Sequence, residues 1–346
     1  MARMRAVVMR NSELVIDQLP DPEPGPGEVL VRTLACGICS ADVDTVRDAQ
    51  AWIDQVEDWG QARALDPTLD LVLGHEFCGE VVDYGPDTAQ RLRTGTRVVS
   101  MPAIMRPGLI APIGLSNLAT GGYGELMVLS EPLAIEVPNS LSSELAAMTE
   151  PMASGIHAVT KARLDALDAP LVVGCGPAGL AVIAALHEAG AEPIVAADFS
   201  PLRRQLAEHL GAHVVVDPAL REPLEVWKET AGTRPAVIFE CTGVLGMFQK
   251  LISAAPREAR LITVGICPED DTYRPITAIS KELSVQFVLG YTPAEFGETL
   301  RRIAEGLYDV TPLITGRVGM SGVGAAFVEL EKPDLHAKIM LDPTRR

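Results

Sequence analysis

Up to about residue 140, the apolar positions come in short runs that Pro- and Gly-rich turns separate. Examples of these runs are MRAVVM, LVIDQL, EVLVRTLAC and YGELMVL, and PDPEPGPGE is one of the turns. Short Val-rich runs bounded by turn residues are typical of β-strands. Helical periodicity is nearly absent there, except over 42–66. This part of the chain is therefore predicted to be mostly β.

From about Ser142 the pattern changes, and helical segments alternate with apolar runs. The segment SSELAAMTEPMASGIHAV has helical periodicity, with Ser142 and Ser143 as candidate N-caps. The six apolar runs that follow, most of them separated by amphipathic segments, lie at 171–173, 194–197, 213–216, 236–239, 260–264 and 285–288. Strands joined by crossover helices form a doubly wound parallel sheet, so we expect an α/β fold here. After Gly290 we expect a helix over 293–306 and short strands that end in AKIMLD.

A glycine motif connects the first of these six strands to an Ala-rich helix. It reads GCGPAG over 174–179, and the next strand ends in Asp198. Its glycines allow a tight turn, a close approach of backbone amides to a pyrophosphate, and close packing of helix and strand. The helix N-terminus offers N–H groups to the phosphates, and the carboxylate is placed to bind a ribose diol. The sequence therefore predicts a site for NAD rather than NADP, because a 2′-phosphate would meet the negative charge. The residues assigned to it are Gly174, Gly176, Pro177, Ala178, Gly179 and Asp198.

Length, charge and cysteine usage narrow the class of protein. A chain of 346 residues, 47% of them hydrophobic and 22% charged, fits two globular domains. The net charge of −17 argues against nucleic acid as a partner, because phosphate binding needs clustered Lys and Arg. The cysteines are too scattered for a disulfide framework, and we find no signal peptide and no membrane span. We therefore expect a cytoplasmic protein.

The β-rich half and the helix after it carry residue types that bind catalytic metals. Cys39 lies in ACGICSAD, His75 and Glu76 lie in LGHEFCGEV, and Glu150 lies in MTEPMASGIHAV. Catalytic zinc typically takes three such protein ligands and keeps one open position, at which it polarises a substrate oxygen. Each residue alone also has an ordinary interpretation, since a Cys is often only a small buried apolar residue.

Together these motifs resemble the zinc-dependent medium-chain dehydrogenase/reductase superfamily, and within it the polyol and threonine dehydrogenase-like branch. The resemblance covers almost the whole chain, including the GHE triplet and the EP-A-x-x-x-HA segment. It implies a GroES-like β-rich catalytic domain over 1–143, a Rossmann NAD-binding domain over 144–290, and a segment over 291–346 that returns to the first domain. It places the thiolate ligand on Cys39 and the imidazole ligand on His75. Glu76 matches a carboxylate that coordinates in some states, and Glu150 matches the third ligand, bound directly or through water.

The resemblance implies further cofactor contacts and partners. Arg203 matches a basic position that contacts the ribose, although a solvated helix face is also possible there. Thr242 and Gly265 follow later strands and should line the cofactor cleft, and Lys338 is a candidate for the pyrophosphate. A small-molecule alcohol or carbonyl compound is the expected substrate, and relatives suggest a homodimer or a homotetramer.

The sequence departs from the family pattern at the metal sites. No cysteine lies between Cys78 and Cys175, where many relatives hold a structural zinc, so we expect one catalytic ion and no structural one. Ala41 and Asp44 stand where relatives carry the Ser or Thr and the His of a proton relay. Three accounts are open: Ser40 replaces the missing hydroxyl, Asp44 accepts the proton through water, or the chain is a weak catalyst.

The segment over 47–70 is longer than in most relatives. Trp52, Ile53, Val56 and Trp59 recur there at helical spacing, which predicts an amphipathic helix packed on the domain. The same helix is a candidate for one lip of the substrate cleft.

These observations favour a zinc-dependent oxidoreductase that transfers hydride between NAD(H) and a secondary alcohol or polyol, or the matching ketone. Two alternatives stay open. One is a zinc-free reductase of the quinone or enoyl type, which Cys39 and His75 disfavour. The other is an NAD-binding relative with weak catalysis, which Ala41 and Asp44 favour.

Overall fold

The first part of the chain is mostly β, as predicted. The computed structural model describes residues 2–58 and 65–345 of the protein, so Trp59 and the side chain of Val56 lie outside the described residues. The elements of this part, in chain order, are β1 (Arg3–Arg10), β2 (Glu13–Pro20), β3 (Glu28–Gly37), α1 (Ser40–Arg47), α2 (Ala49–Asp58), β4 (Glu76–Tyr84), β5 (Arg97–Ser100), β6 (Ala103–Arg106), β7 (Leu109–Pro112), β8 (Leu126–Ser130) and β9 (Ala134–Glu136). In α2, Ile53 is buried and Trp52 packs on the same core, so this helix lies against the domain as its apolar spacing predicts.

The second part alternates helices and strands. Its elements are α3 (Ser143–Ala147), α4 (Thr149–Ala162), β10 (Ala169–Val173), α5 (Pro177–Glu188), β11 (Val195–Ala197), α6 (Pro201–His209), β12 (Val214–Val216), α7 (Pro223–Ala231), β13 (Ala236–Glu240), α8 (Met247–Ala254), β14 (Arg260–Thr263), α9 (Pro275–Ser280) and β15 (Ser284–Phe287). Each of the six predicted apolar runs forms one of the strands from β10 to β15. The predicted helix after Ser142 is divided at Met148 into α3 and α4.

Within the described ranges, these strands form a six-stranded sheet in the order β12-β11-β10-β13-β14-β15, and all neighbouring pairs are parallel. The chain starts at β10 in the middle, moves outward to β12, and then crosses back to β13. This order leaves a crevice at the carboxyl ends of β10 and β13, which is where such sheets bind dinucleotides. The predicted doubly wound fold is confirmed.

The last part of the chain returns to the first sheet. It contains α10 (Pro293–Ala304), β16 (Ile314–Val318), α11 (Val323–Leu330) and β17 (Lys338–Leu341). β17 pairs with β3 in antiparallel register, with Met340 opposite Gly37 and Leu341 opposite Cys36. β3 in turn pairs with β4, so the ends of three strands that are distant in sequence meet at one place. The helix α10 lies beyond the predicted boundary at 290, yet its buried face joins the core that α4 and α5 share.

No helix of the described residues is both long enough and apolar enough to cross a membrane.

Candidate active site

Cys39 lies where β3 gives way to α1. It has extended backbone angles and serves as the N-cap of the helix, and its N–H donates to the Asp42 carboxylate at 3.0 Å. The unpaired N–H groups and positive dipole end of a helix N-terminus favour a thiolate over a thiol. Cys39 is only partly buried, so its sulfur is accessible from the cleft. This position suits a metal-binding thiolate.

His75 precedes β4 and faces the same place. Gly74 before it has φ +100°, and a Cβ there would lie 2.5 Å from the Tyr123 ring, so only glycine fits this close turn. The Nδ1 atom of His75 lies 3.4 Å from Oδ1 of the fully buried Asp42, which leaves Nε2 for a ligand bond. Tyr123 donates to the other oxygen of Asp42 at 2.9 Å. A carboxylate behind a ligating imidazole fixes the orientation of the ring and raises its basicity.

Electrostatics around His75 favour positive charge. Burial lowers the His75 pKa, but the charges of Asp42 and Cys39 outweigh burial and raise this pKa well above its ordinary value. The same negative field that would hold a proton on the ring favours a divalent cation in the proton's place.

Glu76 and Lys338 form a buried ion pair beside these two residues. The Nζ atom of Lys338 donates to both carboxylate oxygens of Glu76 at 2.7 Å and to the carbonyl of Ile38 at 3.1 Å. An ammonium group has three donors, so this set uses all of them. Lys338 is only 2% exposed. The structure thus places Lys338 beneath the metal-binding residues rather than at a pyrophosphate, and we assign it no cofactor contact.

Glu150 approaches from α4. Its Oε1 accepts a hydrogen bond from the Tyr291 hydroxyl at 2.6 Å. Burial raises the Glu150 pKa, while the nearby charge of His75 lowers it in part. A raised pKa shows that the carboxylate lacks sufficient compensating positive charge in its surroundings.

The donor atoms converge as a metal site requires. One ligand atom from each of Cys39, His75 and Glu76 lies within 4.8 Å of the other two, and Glu150 lies just outside this set. Sulfur, imidazole nitrogen and carboxylate oxygen are the donors that zinc takes in catalytic sites. Among the described side chains that form this cluster, Lys338 is the one fixed cation against several carboxylates. The residues present therefore fit a bound zinc ion in both chemistry and charge.

The glycine motif of the nucleotide-binding sheet has the geometry that its sequence predicts. Gly174 has φ +92°, and a Cβ at Gly179 would lie 1.9 Å from the carbonyl oxygen of Gly174. At Gly176, by contrast, a Cβ would meet nothing nearer than the Arg203 Nη1 atom at 3.9 Å. Two of the glycines therefore serve the turn and the packing of α5, and Gly176 leaves an open backbone surface at the helix N-terminus, where a pyrophosphate binds.

The adenosine end of this crevice is bounded by Asp198 and Arg203. The carboxylate of Asp198 accepts hydrogen bonds from the N–H groups of Cys175 at 2.7 Å and Ser200 at 2.8 Å. Each of its oxygens still has a lone pair for a ribose hydroxyl. The Nε atom of Arg203 is buried without a hydrogen-bond partner in the described structure, as expected of a guanidinium that awaits an anionic or polar ligand.

Thr242 and Gly265 follow β13 and β14, on the same edge of the sheet. Thr242 donates from its N–H to the buried Glu240 carboxylate at 2.7 Å, and a Cβ at Gly265 would lie 2.2 Å from the Gly243 nitrogen. An apolar cleft beside them is lined by Val173, Gly174, Ala197, Asp198, Leu224, Thr242, Met247 and Leu251, among others. The predicted cofactor residues other than Lys338 thus share one crevice.

Comparison with known proteins decides the family. The alcohol dehydrogenase GroES-like domain matches residues 25–139, and the zinc-binding dehydrogenase family matches residues 177–305. The (R,R)-butanediol dehydrogenase of Bacillus subtilis (strain 168) is 32% identical over 352 residues, which cover 98% of this chain and 100% of that protein. The chain belongs to the zinc-dependent medium-chain dehydrogenase superfamily.

Two further similarities agree with this family. The sorbitol dehydrogenase of Ovis aries is 29% identical over 98% of the chain and 96% of that protein. The crystal structure of 2R,3R-butanediol dehydrogenase from Bacillus subtilis matches with a TM-score of 0.83 at 30% identity, and covers 99% of this chain and 100% of that one. This dehydrogenase is therefore an oxidoreductase whose family uses zinc and a nicotinamide cofactor.

The two residues suggested for the proton relay of this dehydrogenase lie at the surface. The side chain of Asp44 is 58% exposed and pairs with Arg47, one turn along α1. Ser40 is exposed at the start of the same helix, and Ala41 beside it is partly buried. The structure thus brings Cys39, His75, Glu76 and Glu150 together, but it does not bring Asp44 to them.

Sequence reasoning missed three residues of the site: Asp42, Tyr123 and Tyr291. Asp42 carried a signal, because an acidic residue three positions after an N-cap commonly closes a capping box. The two tyrosines reach the site from distant parts of the chain, and no local pattern marks them.

Proposed function

We propose that this protein is an NAD(H)-dependent zinc dehydrogenase that interconverts a secondary alcohol, such as a diol or polyol, and the matching ketone. The observation that carries this proposal is the bond between Tyr291 and Glu150. Tyr291 follows β15, so it lies at the carboxyl edge of the nucleotide-binding sheet, while Glu150 belongs to the metal-binding cluster. The two sites therefore meet, as hydride transfer between a metal-held substrate and a nicotinamide requires.

Zinc bound by Cys39, His75 and a carboxylate would act as a Lewis acid that lowers the pKa of a substrate hydroxyl. Asp42 orients His75 from behind, and Tyr123 holds Asp42 in turn. Lys338 offsets part of the negative charge of the cluster. Behind the cluster, Cys36, Phe77 and Tyr123 are buried apolar or aromatic residues that exclude water from the ligands.

The substrate class follows from relatives and is a proposal for this chain. The similar proteins of known name act on butanediol and sorbitol, according to their names, and both compounds carry neighbouring hydroxyl groups. A screen of secondary alcohols, vicinal diols, sugar alcohols and amino alcohols, with NAD and NADP in parallel, tests it. NADH formation with a vicinal diol or polyol is expected. Formation of NADH with none of them, by a zinc-loaded protein, would overturn it.

We propose one zinc ion per chain and NAD as the preferred cofactor. The stretch that holds a structural zinc in many relatives has no cysteine here and folds into the hairpin β6–β7, whose Ile104 and Ala111 are buried. Apolar packing supports this lobe. The charge of Asp198 beside the ribose supports NAD. Metal analysis of the purified protein and the ratio of kcat/KM values for NAD and NADP test the two points.

We also propose a homodimer, formed through the edge strand β15. This strand pairs with β14 on one side, and its Val285 and Phe287 are 38% and 65% exposed. On α9, Ile276 and Ile279 are each 68% exposed, and they extend the apolar surface. An open apolar strand edge is a template for pairing with a second copy about a two-fold axis. Light scattering is expected to give a dimer or a tetramer built from it, and Val285→Lys is expected to give monomers. The cytoplasm is the proposed compartment, since Cys39 must stay reduced to bind metal.

A second candidate function is an NAD-binding relative with weak catalysis. The exposed position of Asp44 and the missing hydroxyl at Ala41 favour it. It predicts NADH binding without turnover in the same screen, so one experiment separates the two candidates.

A further inference from the structure

Tyr291 is fixed at the metal-binding cluster by the elements on both sides of it. It follows Gly290, which has φ +63°, and it precedes Thr292, the N-cap of α10. The side chain and backbone N–H of Thr292 both bond Glu295 in a capping box, at 2.8 Å and 2.7 Å. The Tyr291 ring stacks on Phe296 with centroids 5.5 Å apart and an interplanar angle of 28°. The phenol is therefore held rigidly where it meets Glu150.

The hydroxyl of Tyr291 acts as a donor. Burial and the adjacent Glu150 charge raise the pKa of this phenol well above its ordinary value, so the proton stays on the tyrosine oxygen. It donates to Oε1 of Glu150 at 2.6 Å. Within the described structure, no side chain or backbone group bonds the second oxygen, Oε2, which leaves this oxygen available.

The other carboxylate of the cluster is in the opposite state. Both oxygens of Glu76 accept hydrogen bonds from Lys338 at 2.7 Å, inside a pair that is almost completely buried. For Glu76 to become a strong ligand, it would have to share or give up this ammonium partner. Glu150 has a free oxygen and no cationic side chain bonded to it, so a metal ion would supply the charge that it lacks.

We propose that Tyr291 is a positioning residue for the metal: it holds Oε1 of Glu150 so that Oε2 faces the ion beside Cys39 and His75, while Lys338 retains Glu76. This inference rests on the proposed function, because it assumes that the cluster binds zinc. It assigns the third ligand to Glu150 rather than to Glu76, and it assigns the control of that ligand to a residue from the nucleotide-binding part of the chain.

The test is the zinc affinity of Tyr291→Phe, measured by competition with a chromogenic chelator. The substitution keeps the aromatic stack and removes the hydroxyl alone. Loss of a hydrogen bond behind a metal ligand typically weakens metal binding about 10- to 100-fold, so a loss of about 10-fold or more is expected. Tyr308→Phe is the matched control, because Tyr308 is also buried but its hydroxyl has no hydrogen-bond partner in the described structure. This variant is expected to bind zinc as the wild type does.

Two carboxylate variants identify the ligand. Glu150→Gln is expected to lose zinc affinity at least as strongly as Tyr291→Phe, and the double variant is expected to be no weaker than Glu150→Gln alone. The visible absorption of the cobalt-substituted protein should change in Tyr291→Phe and stay unchanged in Tyr308→Phe. Wild-type zinc affinity in Tyr291→Phe would overturn the proposal. Independent, additive losses in the double variant would also overturn it.

The outcome also separates this inference from the proposed function. A wild type that binds one zinc and reduces NAD, together with a Tyr291→Phe variant of unchanged zinc affinity, would refute the role of Tyr291 alone. A wild type that binds no zinc would refute both. If Tyr291→Phe fails to fold, Glu150→Asp replaces it. Shortening that carboxylate by one methylene draws it away from the phenol, so the same loss of zinc is expected, and normal affinity would contradict the proposal.

Discussion

The glycine motif offers a pair of single-methyl perturbations with opposite expected effects. In Gly179→Ala, the new methyl group would lie 1.9 Å from the carbonyl oxygen of Gly174. Carbon atoms in contact need about 3.5 Å, so α5 must move away from the loop by more than about 1 Å. Overpacking of this kind costs about 1–3 kcal/mol, and here the obstacle is backbone, which cannot rotate away. The free energy of unfolding should fall by at least that amount.

In Gly176→Ala, the methyl group meets only the end of the Arg203 side chain, at 3.9 Å. The backbone of Gly176 has φ −67°, which alanine adopts freely. The weaker N-cap and the smaller entropy of the unfolded chain nearly cancel, so stability should change by less than about 1 kcal/mol. The methyl group nevertheless occupies the surface that a pyrophosphate must approach, and NADH binding should weaken about 10-fold or more, or about 1.4 kcal/mol.

Urea unfolding and titration of NADH fluorescence, applied to both variants, test this reasoning. Gly179→Ala should lose stability first, and Gly176→Ala should lose cofactor affinity while its unfolding midpoint stays near that of the wild type. If Gly176→Ala binds NADH normally, the cofactor does not lie on this loop. If Gly179→Ala is as stable as the wild type, the close contact between α5 and the loop is wrong.

Three further predictions concern the cofactor, the buried ion pair and pH. Asp198→Gly should raise kcat/KM for NADP relative to NAD, and an unchanged ratio would remove the role of Asp198. Lys338→Met leaves the Glu76 carboxylate buried without a partner, so it should cost about 3–5 kcal/mol in urea unfolding, and a second substitution, Glu76→Gln, should restore much of the loss. Burial raises the Glu295 pKa, but hydrogen bonds from Thr292 and His157 outweigh burial and lower this pKa. The stabilisation is therefore present above the ordinary pKa of the carboxyl and is lost as pH falls through the lowered one. Glu295→Gln should flatten the acid limb of stability against pH, and an unchanged limb would contradict this.

The nucleotide-binding fold was predictable because its signals are local. Six apolar runs with helices between them, and a glycine motif after the first run, fix both the strand order and the position of the crevice. Cys39 and His75 were predictable because each lies inside a short motif that resembles known relatives. The division of one predicted helix at Met148 left no such mark, since the residues on both sides favour helix.

The contacts behind the metal cluster were not predictable, because the register between distant strands sets them. Lys338 looked like a cofactor contact from its sequence, but the pairing of β17 with β3 carries it to Glu76 instead. Asp44 occupies the position of a relay residue in relatives, yet it pairs with Arg47 in solvent. Tyr291 acquires its role only because β15 ends beside α4. In each case the sequence shows the residue, and only the fold shows its partner.

The central claim is that a zinc ion at Cys39 and His75 enables hydride transfer to the nicotinamide. Its most direct test is NADH formation from a vicinal diol by the purified protein, measured before chelation, after chelation, and after zinc is added back, with metal content determined at each stage. The account predicts about one zinc per chain, loss of turnover with the metal, and recovery when zinc returns. Undiminished turnover by protein that has lost its zinc would contradict it.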